Sequence, residues 1–542
     1  MPSTPTTKSQ VQAYQFVLRR MQSALVRKDA VMLHDPMRTH SRATIVGVVL
    51  SCLGMLGFII FGLFKPDPKA PDSGIVIGEQ SGTVYVIAGN PKKLIPTFNL
   101  ASARLILMAQ NQSEGQEGGQ GAPGGGAMEA VEPQIVSDEQ LKDIPKGRLQ
   151  GIPDGPDLLP TEEQLISTDW GVCDQINVDR SLNDPVAREK AVTETTVLAG
   201  VKNLGRELAQ NQALLVEADD GKHYLVYRQK TDANKLNANT VRAEVDLTQN
   251  AVTAALKLDA RMARHISTGL LNAIPSVGTL DLPAIPGVNE QPDFDGTALK
   301  VGDVFETKLA DGTDFYVVLK EGVQRVSKAV ADMILSTPGV GGGNMSSVTP
   351  DVLQGLPQVT PGSPSYLDVE HYPDTVPTVL DPLQHPVSCL GWNIRGEGEQ
   401  RDAFTSVYIS SVLPVPSNPD GTPQVVKIGT PSPDGQKIDN FYMQPGYAAA
   451  VQGATTKDTF GRGSIQLISD RGVRYGVPNQ DIAKGLGLTK LSPAPESIIK
   501  LLPTGPSLNL QDAQRTYDTV PVDAQAGAVI QPQEQAAPQG GN

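Results

Sequence analysis

The stretch that decides the fold class is TIVGVVLSCLGMLGFIIFGLF, residues Thr44–Phe64, in which 21 consecutive positions carry no charge. A helix rises about 1.5 Å per residue, so the stretch reaches roughly 31 Å, the thickness of a bilayer's hydrocarbon core. A cleaved signal peptide has an apolar region of only about 7–15 residues before a small-residue cleavage site. A helix in a soluble core shows a polar face. The stretch fits neither description, and the sequence predicts one membrane span.

The charges on the two sides of the span differ in sign. Residues 1–43 contain seven basic and two acidic side chains, a net charge of +5, whereas the whole chain of 542 residues carries −14. The part after the span therefore carries −19. Basic flanks stay in the cytoplasm, which predicts a cytoplasmic N-terminus and a large translocated part. An acidic outer part disfavours nucleic acid as a partner.

The cysteines are consistent with this topology. Cys52 lies inside the span, which leaves Cys173 and Cys389 as a pair in a compartment where disulfides persist. Each of the two lies close to one of the chain's two tryptophans, in DWGVC and SCLGW, which suggests two walls of one packed junction. We predict a disulfide between them. Two unpaired buried thiols are the alternative, and a metal site is disfavoured because the chain has no Cys-x-x-Cys pair near them.

The segment before the span has the pattern of one amphipathic helix over Ser9–Met32. Its apolar positions follow three-four spacing and form one narrow stripe. They are Val11, Tyr14, Leu18, Met21 and Leu25. Ser9 with Gln12 fits a capping box, and Pro36 ends the helix. We interpret the stripe as a surface that docks onto a protein partner; a basic helix lying on the inner leaflet is the alternative.

Self-similarity is the most informative feature of the outer part. Ser81–Leu107 and Asp311–Leu335 both begin with a Gly-Thr turn, continue through an aromatic-containing strand and end in a helix. Asp220–Gln229 and Asp470–Leu488 are shorter versions of that start. Such a unit is too small to bury much surface alone. Four units around a disulfide-bearing core predict an elongated α+β outer part.

A second motif, rich in turn-forming Pro and Gly, also recurs. Its copies are IPDGPDLL (Ile152–Leu159), IPSVGTLDL (Ile274–Leu282) and LPTGPSLN (Leu502–Asn509). Between the motifs, Ala187–Gln210 has a helical pattern, and two Pro/Gly-rich stretches, 341–361 and 417–435, predict long surface loops.

These signals divide the chain into six predicted parts. They are a cytosolic amphipathic helix (1–43), a transmembrane helix (44–64), a first repeat unit (65–110), a Gly/Gln-rich linker (111–130), a central core with further repeat units (131–520) and a disordered tail (521–542).

Motifs for catalysis or cofactor binding are missing from the sequence. G-x-x-x-x-G-K-[ST] does not occur, and the nearest approach, Gly429–Lys437, has the wrong spacing and is rich in proline. The six histidines are scattered, and neither H-E-x-x-H nor G-x-S-x-G occurs. We therefore predict no catalytic residue, no cofactor and no metal ligand.

The combined pattern of a basic helix SQVQAYQFVLRRMQSALVRKDAVMLHDPMR, one span, SGTVYVIAGNPKKLIPTFNLASARLIL and two distant outer cysteines resembles the EccB family. EccB is a core membrane component of the mycobacterial type VII (ESX) secretion systems. The resemblance extends from about Lys8 to Leu508, and the third ESX system is the preferred paralogue. It implies an inner-membrane protein with a periplasmic domain of four repeat units around the disulfide-bearing core.

The resemblance also implies partners and a function. The partners are the EccC motor ATPase, EccD, EccE and copies of the chain itself, as a dimer or a higher ring. The function is that of a structural component that links the motor and membrane subunits to a periplasmic assembly for protein export. Two alternatives stay open. The units resemble cell-wall-binding repeats of a phage lysin, which suggests a peptidoglycan-binding anchor, and family members are described as ATP-hydrolysing, which suggests an enzymatic outer domain.

Overall fold

The structure is a computed structural model that describes residues 7–28, 37–63, 69–117, 130–179, 181–182, 184–229, 238–310, 312–340, 344–433 and 435–517. The chain forms two compact units, Met1–Lys69 and Ala70–Asn542, and each is described by itself. The predicted tail, 521–542, and positions 118–129 of the predicted linker lie outside the described residues.

The α-helices of the described residues are numbered in chain order. They are α1 (Lys8–Arg27), α2 (Met37–Leu63), α3 (Leu100–Glu117), α4 (Asp138–Leu141), α5 (Asp184–Glu189), α6 (Asn250–Leu256), α7 (Thr268–Ala273), α8 (Lys328–Leu335), α9 (Pro350–Gln354), α10 (Gln480–Gly485), α11 (Glu496–Ile499) and α12 (Leu510–Ala513).

The strands are numbered in the same way. They are β1 (Gly74–Gly78), β2 (Val84–Ala88), β3 (Lys93–Thr97), β4 (Gln134–Val136), β5 (Leu149–Gln150), β6 (Trp170–Asn177), β7 (Val192–Ala199), β8 (Arg206–Glu207), β9 (Gln212–Glu217), β10 (His223–Arg228), β11 (Thr240–Glu244), β12 (Arg264–His265), β13 (Val304–Leu309), β14 (Gly312–Val318), β15 (Val323–Val326), β16 (Ser346–Ser347), β17 (Thr378–Val379), β18 (Val387–Arg395), β19 (Asp402–Ser410), β20 (Val426–Lys427), β21 (Asn440–Tyr442), β22 (Ala448–Ala454), β23 (Ile465–Ser469), β24 (Arg474–Val477), β25 (Ser492–Pro495) and β26 (Thr516–Tyr517).

In the first unit, α1 begins one residue earlier than the sequence predicts. The side-chain hydroxyl of Thr7 accepts a hydrogen bond from the Gln10 backbone N–H (3.4 Å), and the Gln10 side-chain oxygen accepts one from the Thr7 backbone N–H (3.0 Å). This reciprocal pair is a capping box, so the predicted box at Ser9 is displaced by two residues. The helix ends at Arg27, five residues before the predicted Met32, because Lys28 adopts the left-handed conformation that caps it. Pro36 lies outside the described residues.

The second helix of this unit, α2, contains the predicted span. Its segment Arg42–Gly62 is 21 residues long and apolar enough to cross a membrane. The helix starts seven positions before the predicted Thr44, because residues 37–43 extend it at its polar end. None of the apolar side chains from Ile45 to Phe61 is covered by protein. An apolar surface on all sides is typical of a helix surrounded by lipid.

Four of the five sheets formed by the described residues of the second unit have the same strand order. In each, three successive strands pair antiparallel, a helix follows the third strand, and the next strand pairs parallel with the first. Sheet 1 contains β1–β4, sheet 2 contains β9–β12, sheet 3 contains β13–β16 and sheet 4 contains β22–β25. Since β4 follows the predicted linker, sheet 1 extends beyond the predicted 65–110 unit.

A short helix and a proline follow the last strand of each of these sheets. The four segments have one spacing: SDEQLKDIPKG (Ser137–Gly147), STGLLNAIPSV (Ser267–Val277), TPDVLQGLPQV (Thr349–Val359) and PESIIKLLPTG (Pro495–Gly505). In every segment the proline carbonyl accepts a hydrogen bond from the backbone N–H of one residue in the third strand. The carbonyl of that same strand residue accepts a hydrogen bond from the backbone N–H two positions after the proline. All eight distances are 2.8–3.0 Å. The four segments, named here the Pro segments, cover the outer edge of each third strand.

The Pro segments correct the second sequence motif. Its copies at Ile274 and Leu502 belong to Pro segments, but the copy in sheet 1 lies at Ile144–Gly147 and not at Ile152–Leu159. A further copy, at Leu356, falls in the stretch 341–361 that was expected to be a loop and that contains β16 and α9. The start predicted at Asp470 is also displaced, because that turn joins the second and third strands of sheet 4 and not the first and second.

The predicted helix over Ala187–Gln210 is wrong. Its longest element is the eight-residue strand β7, which pairs with β6 on one side and β21 on the other. The segment Thr195-Thr196-Val197 is β-branched, and such side chains favour strands over helices.

The fifth, central sheet has the order β20-β21-β7-β6-β18-β19-β8. Sheets 1 and 4 share one hydrophobic core, to which α3 and α10 contribute. Sheets 2 and 3 share another, to which α6 and α8 contribute. The core of the central sheet includes side chains of α7 and α11, the helices of the second and fourth Pro segments. The second and fourth Pro segments therefore connect the central sheet to sheets 2 and 4.

Candidate functional site

The first candidate site is the apolar stripe of α1. The five predicted side chains, Val11, Tyr14, Leu18, Met21 and Leu25, are between 38% and 81% exposed. At 100° per residue they fall within an arc of about 80°. The basic side chains Arg19, Arg20 and Arg27 lie on the other side of the helix, which fits a surface that binds apolar groups on one side and stays solvated on the other.

The second candidate site is the middle of the central sheet. Cys173 of β6 and Cys389 of β18 lie directly opposite one another and form a disulfide, as the sequence predicts. Trp170 and Trp392 form another directly opposed pair in the same two strands, and both are buried. Cys52 is free and exposed on α2. The disulfide is thus a covalent link between two neighbouring, largely buried strands of the sheet.

A buried carboxylate follows the first of these cysteines. Asp174 accepts hydrogen bonds from the Ser267 backbone N–H (2.7 Å), the Ser267 hydroxyl (2.8 Å) and the Thr195 hydroxyl (2.8 Å). Burial raises the pKa of Asp174, and the three hydrogen bonds and the nearby Arg264 oppose that shift. Ser267 is the N-cap of α7, so Asp174 fixes the Pro segment of sheet 2 to the central sheet.

Two arginines complete this junction. Arg264 is buried and donates to the carbonyl of His385, and burial lowers the pKa of Arg264 to about 10. Asp381 lies near Arg264 and accepts a hydrogen bond from Arg188 at 3.0 Å. The residues of this junction are distant from one another in the sequence, so no local motif predicts it. The one local indication is Asp174, a charged residue inside the buried strand WGVCDQIN.

A cavity of about 650 Å³ borders the junction. It lies between the end of β6, from Gln175 to Val178, and the loop from Ser411 to Pro423. None of the residues that line it is ionisable, so the cavity offers no acid or base for general catalysis. The nearest approach to a phosphate loop, Gly429–Lys437, lies between β20 and β21, and in its described part no helix follows it. A phosphate loop places the anion at a helix N-terminus.

The arrangement defines a class of protein: a chain whose described residues include one helix apolar enough to cross a membrane, an exposed amphipathic helix before it and a disulfide-bonded multi-sheet domain after it. The chain belongs to the EccB family, because the family model described as "Type VII secretion system ESX-1, transport TM domain B" matches residues 3–522. The resemblance predicted from the sequence is thereby confirmed.

Named relatives match along nearly the whole chain. The chain is 31% identical to the ESX-1 secretion system ATPase EccB1 of Mycolicibacterium smegmatis, with 96% of both chains covered. It is 30% identical to the ESX-3 secretion system ATPase EccB3 of Mycobacterium tuberculosis, covering 96% of this chain and 91% of the relative. The identity to EccB2 of that organism is 29%, so identity does not single out the third system.

Two solved assemblies contain chains of similar structure. One is the intact ESX-5 inner membrane complex, with a TM-score of 0.65 at 26% identity, covering 96% of this chain and 98% of that one. The other is the EccB3 dimer from the ESX-3 core complex, with a TM-score of 0.62 at 25% identity. The match covers 82% of this chain and 100% of that one.

Proposed function

We propose that the chain is a structural core component of a type VII secretion inner-membrane complex and links its cytosolic and membrane subunits to a periplasmic assembly for protein export. The observation that carries this proposal is the match to the ESX-5 inner membrane complex over 96% of the chain. The family model, which spans residues 3–522, includes α1 and α2 as well as the sheets. A wall anchor alone would leave the patterned α1 unexplained.

In this proposal α2 spans the inner membrane with α1 in the cytoplasm. The charge difference, +5 before the span and −19 after it, supports that orientation. The second unit then lies in the periplasm, in agreement with the periplasmic assembly described for the ESX-5 complex. Its sheets 1–4 act as repeat units, a role supported by their common strand order and by the four Pro segments.

The apolar stripe of α1 is the contact with other subunits in this proposal. EccC, EccD and EccE are the proposed partners, and a second copy of the chain is proposed because the ESX-3 relative is a dimer. A stripe about 80° wide matches the seam of helix-to-helix packing.

Affinity purification of the tagged full chain in mild detergent tests this function. We expect the other membrane-complex subunits to co-purify, and Tyr14→Glu with Met21→Glu to abolish their recovery, because two charges then occupy the apolar stripe. The matched control, Gln12→Glu with Ser23→Glu, adds the same charge on the other side of α1 and keeps recovery. Equal recovery with both double variants contradicts the docking role and favours the helix lying on the inner leaflet.

ATP hydrolysis is a second candidate, because the relatives EccB1 and EccB3 are named ATPases. In this chain the Gly429–Lys437 loop is a turn in which Gly435 N–H donates to the Ser432 carbonyl (2.9 Å), and it is not a phosphate cradle. We expect the purified full chain, free of the EccC motor, to hydrolyse ATP at the buffer rate. A higher rate that survives gel filtration and disappears with a single substitution establishes the enzymatic alternative.

A further inference from the structure

Sheets 1–4 can be aligned residue by residue through the Pro segments. The third-strand residue that pairs with each Pro segment is Leu94, Arg242, Val323 or Arg474. The second-strand residues opposite these are Ile87, Val226, Val318 and Ile468. Two positions earlier on the second strand the equivalent residues are Tyr85, Tyr224, Tyr316 and Gln466. Three sheets therefore have a tyrosine where sheet 4 has a glutamine.

In sheets 1–3 this tyrosine fills the space over its face of the sheet. Tyr316 stacks on Phe305 with ring centres 5.3 Å apart. Tyr224 lies under the guanidinium of Arg242 at 5.3 Å. Tyr85 packs against the core that includes Ile87. An aromatic ring at this position thus serves packing in each of the three sheets.

In sheet 4 the same position opens into a cavity. The residue opposite Gln466 on the third strand is Gly476, where the other sheets have Pro96, Glu244 and Arg325. A Cβ added at Gly476 would meet no atom within 4 Å. Both Gln466 and Gly476 line a cavity of about 510 Å³, which is within the size range of small-molecule sites. In sheet 4 this cross-strand row holds a glutamine and a glycine in place of a tyrosine and a larger residue, which leaves the space open.

The lining has one chemical character. Seven of its thirteen residues carry a neutral amide or hydroxyl, and none carries a carboxylate. The only cation, Arg474, donates from Nε to the Leu502 carbonyl (3.0 Å). Gln466 is 93% buried, donates to the Ser464 hydroxyl (2.9 Å), and its Oε1 has no hydrogen-bond partner among the described residues. A buried polar atom without a partner costs stability unless a ligand or water satisfies it.

These groups suit a neutral ligand with many hydroxyl and amide groups. Amide and hydroxyl side chains both donate and accept hydrogen bonds, and Ile465, Val477 and Pro478 supply an apolar part of the lining. An extended peptide is disfavoured because it binds by adding to a free strand edge. The edge of β24 is already occupied. The Arg474 backbone forms hydrogen bonds with the Pro503 carbonyl and the Gly505 N–H, and the Gly476 carbonyl accepts a hydrogen bond from the Leu508 N–H.

We propose that the cavity of sheet 4 binds an oligosaccharide that carries N-acetyl groups, with Gln466 as its central hydrogen-bonding residue. The proposal goes beyond the assembly function, because it assigns a ligand class to one sheet whose three counterparts have a tyrosine in the same place. It is independent of which subunits the chain binds.

Saturation-transfer NMR on the detergent-solubilised full chain tests the proposal with tri-N-acetylchitotriose as the probe. We expect saturation transfer to the acetyl methyl protons. Maltotriose, which has hydroxyls but no acetamido groups, and tri-alanine should give much weaker signals. Gln466→Tyr installs the residue of sheets 1–3 and should abolish the chitotriose signal. Gln511→Tyr, at an exposed position of α12 outside the cavity, should leave the signal unchanged.

The melting temperature of each variant shows whether the variant is folded, and a second substitution in the same cavity serves as a further test. Gly476→Leu projects a side chain into the same cavity from the neighbouring strand and should also abolish the signal. No transfer to chitotriose with the unmodified chain overturns the proposal, as does equal transfer with Gln466→Tyr and Gly476→Leu in folded protein. A stronger signal with tri-alanine than with chitotriose replaces the glycan with a peptide and equally overturns it.

Discussion

Glu207, on the edge strand β8, holds the central sheet and sheet 2 together through one carboxylate. It accepts hydrogen bonds from the Ser406 hydroxyl of β19 and from Asn239 Nδ2 (3.0 Å), and Arg228 of β10 lies 3.6 Å away. Burial raises the pKa of Glu207, but the hydrogen bonds and Arg228 outweigh that effect, so the pKa lies below its usual value of 4.5. A carboxyl with a lowered pKa stabilises the folded state above its unfolded pKa and loses this contribution as the pH falls.

Glu207→Gln should therefore change the acid sensitivity of the second unit. We expect a loss of about 1 kcal/mol at pH 7, because the group is partly exposed and its charge is screened. Below about pH 4.5 the difference from the unmodified chain should shrink as the carboxyl is protonated. Urea unfolding of the full chain at pH 7, 5 and 4 measures this, with the exposed Glu163→Gln as control. A constant difference at all three pH values contradicts the assignment.

At the scale of residues, the sequence could indicate the cysteine pair but not the contacts of Glu207 or Asp174. Cys173 and Cys389 could be paired because membrane topology removed the third cysteine. The bond from Ser406 to Glu207 spans 199 positions, and the bond from Ser267 to Asp174 spans 93. Only the pairing of strands brings such residues together, and no local pattern encodes it.

At the scale of elements, the disulfide between β6 and β18 joins strands from the two halves of the second unit. A bond that closes a loop over a separation of 216 residues restricts the unfolded chain strongly. We expect Cys173→Ala with Cys389→Ala to lower the free energy of unfolding by about 2–5 kcal/mol, measured by urea denaturation. Cys52→Ala should change neither this energy nor the mobility shift on reduction in gel electrophoresis. Unaltered mobility of the unmodified chain contradicts the bond.

The Pro segments offer a matched comparison between copies of one element. Leu502 is fully buried in the central core, whereas its counterpart Ile144 in sheet 1 is only partly buried. Leu502→Ala should cost about 2–5 kcal/mol of unfolding free energy, because it leaves a cavity. Ile144→Ala should cost clearly less. Thermal unfolding of both variants checks the order, and an equal cost would mean that the two segments pack alike.

The sequence predicted elements well where the pattern is local and poorly where pairing decides. The span and α1 have periodic or continuous apolar patterns, and both helices were predicted, with the start of α1 and the end of α2 each within one residue. The strand β7 was mistaken for a helix because the β-branched segment Thr195-Thr196-Val197 was given too little weight, and pairing with β6 and β21 completes the strand. The repeat signal predicted that similar units exist, but the parallel strands β4 and β16 that complete them were missed because they are short.

At the scale of the whole second unit, the first and last sheets stabilise one another. Sheets 1 and 4 share a core, and the end of the described chain reaches back to sheet 1 through β26, which pairs with β5. Tyr517 contacts Phe98 at 5.2 Å between ring centres, and Ala513 of α12 is fully buried in the shared core. The sequence gives no sign of this closure, since its partners lie more than 350 positions apart.

Removal of the chain after Leu508 should therefore loosen sheet 1, at the other end of the sequence. Without α12 and β26, the core around α3 loses its cover, and the amides of β1–β3 should exchange hydrogen faster, as expected for a locally destabilised unit. Sheets 2 and 3 have a separate core, so their exchange should stay as it is. Hydrogen exchange followed by mass spectrometry measures both regions in one experiment. Truncation after Tyr517, which keeps α12 and β26, is the control, and faster exchange in all four sheets after the shorter truncation would show that the two cores unfold together.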